Sequence, residues 1–164
     1  MPTPRGGFCA SVVNGKIYAI GGRQVIFGKP IATVEIYDPE TDTWTHGTDM
    51  PTARASLSCI PMNGRIYAIG GHQSSGNDLV GLPTLEVYNP ETDTWTEETE
   101  MPIGRFGFRA GAVDGKIYVI GGWPDMVAPA VTTVDEFEPG VEAPQSVNPT
   151  DKLPTTWGEV KAAQ

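Results

Sequence analysis

The chain has only two histidines and two cysteines, and its 11 basic residues are outnumbered by 20 acidic ones in 164 residues. Nor does it hold a run of some eighteen apolar residues, so it offers no candidate transmembrane helix. The first residues, MPTPRGGFCASVV, contain one basic residue and no apolar stretch of the kind a secretory leader has. No segment is basic and Lys and Arg form no runs, which excludes the electrostatic footprint of phosphate-backbone binding; nucleic acid is not an expected partner. The two histidines, His46 and His72, stand in unrelated contexts without metal-ligand spacing, and both are expected at the surface. No glycine-rich loop precedes a helix, and no nucleophilic serine elbow is present. No cofactor and no catalytic residue is therefore implied. Two cysteines make no disulfide framework: Cys9 and Cys59 read as small core hydrophobes, or as a pair if they face one another.

What the chain has in quantity is glycine and proline, 20 and 15 residues, which favours many short strands over long helices. It also repeats itself. YDPETDTW at Tyr37 returns as YNPETDTW at Tyr88, 51 positions on, and a fixed period of that size marks a repeat architecture. Three copies align, opening with MPTPR, MPTAR and MPIGR. Each continues through mostly small or apolar residues to a two-residue turn, Asn14-Gly15, Asn63-Gly64 or Asp114-Gly115. Such pairs accept the positive φ of a hairpin turn. After the turn come KIYAIGG, RIYAIGG and KIYVIGG, strand-like runs that end in a diglycine. A variable loop leads to a third strand, ATVEIYDP, PTLEVYNP or TTVDEFEP, and a fourth strand is expected around Trp44 and Trp95. Four antiparallel strands per period, with no helix signal between them, describe one blade of a β-propeller.

The order arginine, diglycine, tyrosine, tryptophan resembles the kelch repeat. The resemblance covers residues 1–139 as repeats 1–49, 50–100 and 101–139. The expected fold is all-β: three four-stranded kelch-type blades forming a partial propeller. The third copy departs from the pattern. Phe137 replaces the tyrosine, EPGVEAP replaces DPETDT, and Trp157 lies 20 residues beyond Phe137 where the other copies need 7. Residues 140–164 read as a proline-rich linker and C-terminal tail, in which TTWGEVKAAQ is either a displaced outer strand or a short helical end. The resemblance places the first strand of each blade innermost, around a channel. It puts the second-to-third-strand loops on one face and the Asn-Gly hairpins on the other.

The resemblance implies a non-catalytic scaffold that binds a protein or ligand. The alternatives are part of a larger kelch enzyme, such as a carbohydrate-active one, and a truncated gene that starts in phase with the repeat's methionine. Arg5, Arg54 and Arg105 recur near the loop face. They either pair with Glu35, Glu86 and Asp135, which recur at fixed positions, or form a ring of donors for an acidic peptide. The loops RQVIFGKPI, HQSSGNDLVGLP and WPDMVAPAV differ most between copies and supply the candidates Arg23, Phe27, His72 and Trp123. Arg109 is the only charge in an innermost strand and faces the channel or solvent. Trp44 and Trp95 are expected to be largely buried between blades. Because three blades are too few to close a ring, a homodimer completing a six-bladed propeller is the expected assembly.

Overall fold

The computed structural model describes residues 1–73 and 78–140, and places 156–160 as a strand. Three four-stranded antiparallel sheets follow one another along the chain, and no helix occurs among the described residues. Blade 1 holds β1 (Cys9–Val13), β2 (Lys16–Ile20), β3 (Val34–Asp38) and β4 (Thr43–Gly47). Blade 2 holds β5 (Ser58–Met62), β6 (Arg65–Ile69), β7 (Leu85–Asn89) and β8 (Thr94–Glu97). Blade 3 holds β9 (Arg109–Val113), β10 (Lys116–Ile120), β11 (Val134–Glu138) and β12 (Thr156–Val160).

The local chemistry dictates these boundaries. Asn14, Asn63 and Asp114 sit at φ of 50°, 51° and 51°, each followed by a positive-φ glycine, so the first hairpins turn as the sequence requires. In the outer hairpins Asp42 and Asp93 take φ of 53° and 54°. Asp38 and Asn89 receive the amides of Glu40 and Glu91 at 3.0 Å, closing Asx turns. The alternative left open for TTWGEVKAAQ resolves as the outer strand. Phe137 stands opposite Trp157 just as Tyr37 stands opposite Trp44 and Tyr88 opposite Trp95. The rest of the tail, 141–155 and 161–164, lies outside the described residues.

Alternation along each strand sends one set of side chains toward the preceding blade (the leading face) and the other toward the following blade (the trailing face). One core joins blade 1 to blade 2: Val13, Tyr18, Ile20 and Val34 from the trailing face of blade 1 meet Leu57, Ile66, Ala68 and Tyr88. A second joins blades 2 and 3: Ile60, Tyr67, Ile69, Leu85 and Val87 meet Phe108, Ile117, Val119 and Phe137. Cys9 and Cys59 lie inside the first core with Cα atoms 5.6 Å apart and are disulfide-bonded, so the core-hydrophobe reading gives way to a covalent link between β1 and β5.

The tryptophans correct an expectation. Trp44 and Trp95 are half-buried rather than buried, because each lies on an outermost strand. One ring face rests on Tyr37 or Tyr88, at centroid distances of 5.1 and 5.0 Å. Trp95 still links two blades, since its Nε1 donates to the carbonyl of Thr48 at 2.9 Å. Asp93 adds to that link by accepting from Thr48 N–H at 2.7 Å and from the Tyr88 hydroxyl at 2.6 Å.

Candidate functional site

The base of each second-to-third-strand loop is built the same way. Gly21, Gly70 and Gly121 donate across the loop to Thr33, Thr84 and Thr133. Ile31, Leu82 and Val131 donate back to Gly22, Gly71 and Gly122 at 2.8 Å. The first glycine of the pair must be glycine, since a Cβ on Gly21 would stand 2.6 Å from the Arg54 carbonyl and one on Gly70 2.7 Å from that of Arg105.

The recurring arginines lock these bases from below. Arg5 donates to the carbonyls of Gly21 and Thr33, at 3.1 and 2.7 Å, and to Glu35 at 2.6 Å. Arg54 donates to Ala68 and Thr84, each at 3.0 Å, and to Glu86 at 2.8 Å. Arg105 donates to Gly121 and to Asp135. All three guanidinium side chains are fully buried. The structure therefore places Arg5, Arg54 and Arg105 in the framework, paired with the carboxylates at the fixed positions, and not as open donors on the loop face. Burial, the dominant influence, pulls the Arg54 pKa down to about 10 against the opposing charge of Glu86, so the guanidinium remains protonated at neutral pH. Arg105 is likewise lowered by burial, with Asp135 opposing.

Arg23, His72 and Trp123 follow the three diglycines and occupy one repeat-equivalent position. Each pairs through its backbone with the lead-in to its own first strand, at Gly6, Ala55 and Phe106. Their side chains differ in exposure. His72 is buried, which corrects the surface expectation: Gly81 folds back to bridge it and its ring meets Phe106 edge-on at 5.5 Å. His46 is exposed. Arg23 is half-buried and Trp123 largely exposed.

Beyond the bases, the loop tips turn apolar residues outward. Gly28 N–H donates to the Val25 carbonyl at 3.0 Å, closing a turn that presents Ile26 and Phe27. Phe27 holds φ of 62°, a left-handed backbone that bulky residues rarely adopt. In blade 3, Asp125 caps the turn by accepting from the amides of Val127 and Ala128, at 2.8 and 2.6 Å, and so exposes Met126 and Val127. The loops of blades 2 and 3 touch through the Val80–Asp125 bridge and the 2.7 Å bond from Gly81 N–H to Pro124. Leu79 is buried beneath them while Val80 is exposed.

Arg109 lies apart from this cluster. It is exposed on the trailing face of blade 3, at the position held by Cys9 and Ser58, and donates to the Phe108 carbonyl at 3.1 Å. Among the described residues no group of three or more His, Cys, Asp and Glu could hold a metal ion. The sequence marked the loops by their variability but gave no sign that His72 would be covered, since that depends on how a neighbouring loop folds back.

The Kelch motif model matches three times, at residues 4–51, 53–102 and 104–137. F-box/kelch-repeat protein At1g67480 of Arabidopsis thaliana is 39% identical over 74% of this chain and 32% of its own length. Kelch repeat and BTB domain-containing protein 12 of Homo sapiens is 34% identical over 84% of this chain and 26% of its own. The chain thus spans about a third or less of these relatives. The solved structure of YjhT superimposes with a TM-score of 0.77 at 18% identity, over 96% of this chain and 52% of that one.

Proposed function

The chain belongs to the kelch-repeat family, and from that premise we propose that it is a non-catalytic scaffold that binds a protein or peptide through its loop face. The relatives are kelch proteins that by name also carry an F-box or a BTB domain, which suits a module that recruits rather than transforms. One observation carries the choice of face. Phe27 is 58% exposed and sits at a positive φ that costs stability. A bulky apolar side chain held out to water in strained backbone does nothing for the fold. With Ile26, Met126 and Val127 also exposed on loop tips and Trp123 exposed at the base of its loop, the face supplies the aromatic and aliphatic anchors on which interface energy concentrates. The rigid bases beneath them lower the ordering cost of binding. Because the buried arginines are already paired, apolar anchoring replaces the acidic-peptide grip as the proposed mode. The exposed Lys29 and the half-buried Arg23 are left as basic groups of the first loop.

The test is selection of displayed peptides against the purified chain, followed by binding to Ile26→Ser, Phe27→Ser and Trp123→Ala variants of unchanged circular dichroism. Selected peptides should compete with one another and lose at least about tenfold in affinity per anchor removed. Equal binding to the loop variants and the parent would sink the assignment of this face.

A further inference from the structure

The first hairpin of every blade turns on an amide or an acid followed by glycine, and that pair has a chemistry of its own. Asn14-Gly15, Asn63-Gly64 and Asp114-Gly115 join β1 to β2, β5 to β6 and β9 to β10. The ladders end at Val13 opposite Lys16, Met62 opposite Arg65 and Val113 opposite Lys116. The turn residues therefore lie outside the pairing, and all six are exposed. The N–H groups of Gly15, Gly64 and Gly115 make no hydrogen bond among the described residues. A Cβ on any of these glycines would meet nothing within 4 Å, so no neighbour crowds the turn. The turns stand at the opposite end of β2, β6 and β10 from the loop face.

An asparagine side chain reaches the backbone nitrogen of the next residue and can close a five-membered ring with it. Glycine permits this most readily, because it brings no side chain beside that nitrogen. Of the chain's five asparagines, Asn89 and Asn148 precede proline, whose nitrogen has no hydrogen to lose. Asn77 precedes Asp78, and only Asn14 and Asn63 precede glycine. A cation follows each of these pairs, Lys16 or Arg65, and favours the negative charge that the reaction creates.

We propose that Asn14 and Asn63 are modification sites at which the folded chain deamidates to aspartate. The Gly15 nitrogen attacks Cγ of Asn14, its proton leaves with the side-chain amino group as ammonia, and a succinimide remains. Water then opens the ring at one of two bonds. Opening at Cγ restores the backbone and leaves aspartate; opening at the backbone carbonyl leaves isoaspartate, with one more main-chain atom. Gly64 and Asn63 react in the same way. The third blade shows that aspartate fits this turn. Asp114 holds φ of 51°, against 50° and 51° for Asn14 and Asn63, and Gly115 holds 76°, against 75° and 72°. Isoaspartate does not fit, because the paired residues on either side fix the turn at two residues. The hairpin therefore directs the opening toward aspartate. Full conversion takes the formal charge from −9 to −11 (−9 − 2), with both added charges on the hairpin face.

The purified chain, held folded at neutral pH and physiological temperature, should resolve on ion exchange into forms that differ by single charges. Peptide mapping should find aspartate in place of Asn14 and Asn63, with Asn89 intact as the internal control. In guanidinium chloride both sites should also convert, with isoaspartate as the main product. A chain made with Asn14→Asp and Asn63→Asp should elute with the most acidic form and keep the parent's urea midpoint. Asparagine retained at both sites of the folded chain while the denatured chain converts would overturn the proposal, since the turn then protects the pair. So would isoaspartate as the main product of the folded chain, or a lower urea midpoint in the doubly substituted one.

Discussion

At the residue scale the arginine–carboxylate pairs were the most legible part of the molecule. A cation before the first strand and an acid two residues before the third-strand aromatic recur in every repeat and meet in every blade, as Arg5–Glu35, Arg54–Glu86 and Arg105–Asp135. Removing one partner leaves an unpaired buried charge, so Glu86→Ala should cost about 3–5 kcal/mol in urea unfolding, and Arg54→Met with Glu86→Leu appreciably less. An equal cost for the double replacement would show that the carbonyl bonds of Arg54 matter more than its charge. Glu35 makes the pairing visible to pH. Burial pushes its carboxyl up, but hydrogen bonds from Thr3 and Arg5 and the Arg5 charge outweigh it, so its pKa lies below the ordinary 4.5. The resulting stability is complete above that ordinary value and is lost as pH falls through the lowered one. Glu35→Gln should therefore flatten the acid limb of the urea midpoint; a limb as steep as the parent's would refute the attribution. Phe27 runs the other way. Phe27→Gly should raise stability by about 1 kcal/mol through relief of its left-handed backbone while weakening peptide binding at least about tenfold. A fall in stability would mean that the ring packs where it appears exposed. The half-buried state of Trp44 and Trp95 was not legible, because periodicity reports which residues repeat and not how far the outermost strand lies from the next blade.

At the element scale the hairpins could be read directly from Asn-Gly and Asp-Gly, while β12 could not. Its register to β11 is the ordinary one, but the connection is 17 residues long (139–155) against four in blade 1 (39–42). Sequence spacing alone could not show that a strand resumes after such an interval. Loop-closure entropy grows slowly with length, which is why the blade tolerates the insertion. Replacing 139–155 by the four residues Pro-Glu-Thr-Asp of blade 1 should raise stability by about 1 kcal/mol. A loss instead would indicate that the inserted segment makes stabilising contacts of its own. The disulfide was half visible. Cys9 and Cys59 stand one position out of repeat register, and in a strand one position moves a side chain to the opposite face. That offset turns Cys9 toward blade 2 and Cys59 toward blade 1. Alkylation of the denatured chain should find no free thiol before reduction and two after it. The Cys9→Ala, Cys59→Ala chain should lose about 2–4 kcal/mol.

At the scale of the whole molecule, repeat proteins behave nearly as one-dimensional arrays, each unit stabilised by its own strands and by its neighbours. The sequence disclosed three like units but not their unequal standing, which comes from position alone. Blade 2 is covered on both faces, with Ile66 and Ala68 against blade 1 and Ile69, Leu85 and Val87 against blade 2's other neighbour. Blades 1 and 3 each have one outer face more exposed, at Ile17 and at Ile120. Protection should therefore be graded. Amides of β6 and β7 should exchange slowest, at the global unfolding free energy. Those of β10 should exchange faster through sub-global opening, although β10 has nearly the same sequence as β6. Equal protection of β6 and β10 would show that a blade's stability lies within its own four strands, and the neighbour-face reasoning would then lose its energetic basis.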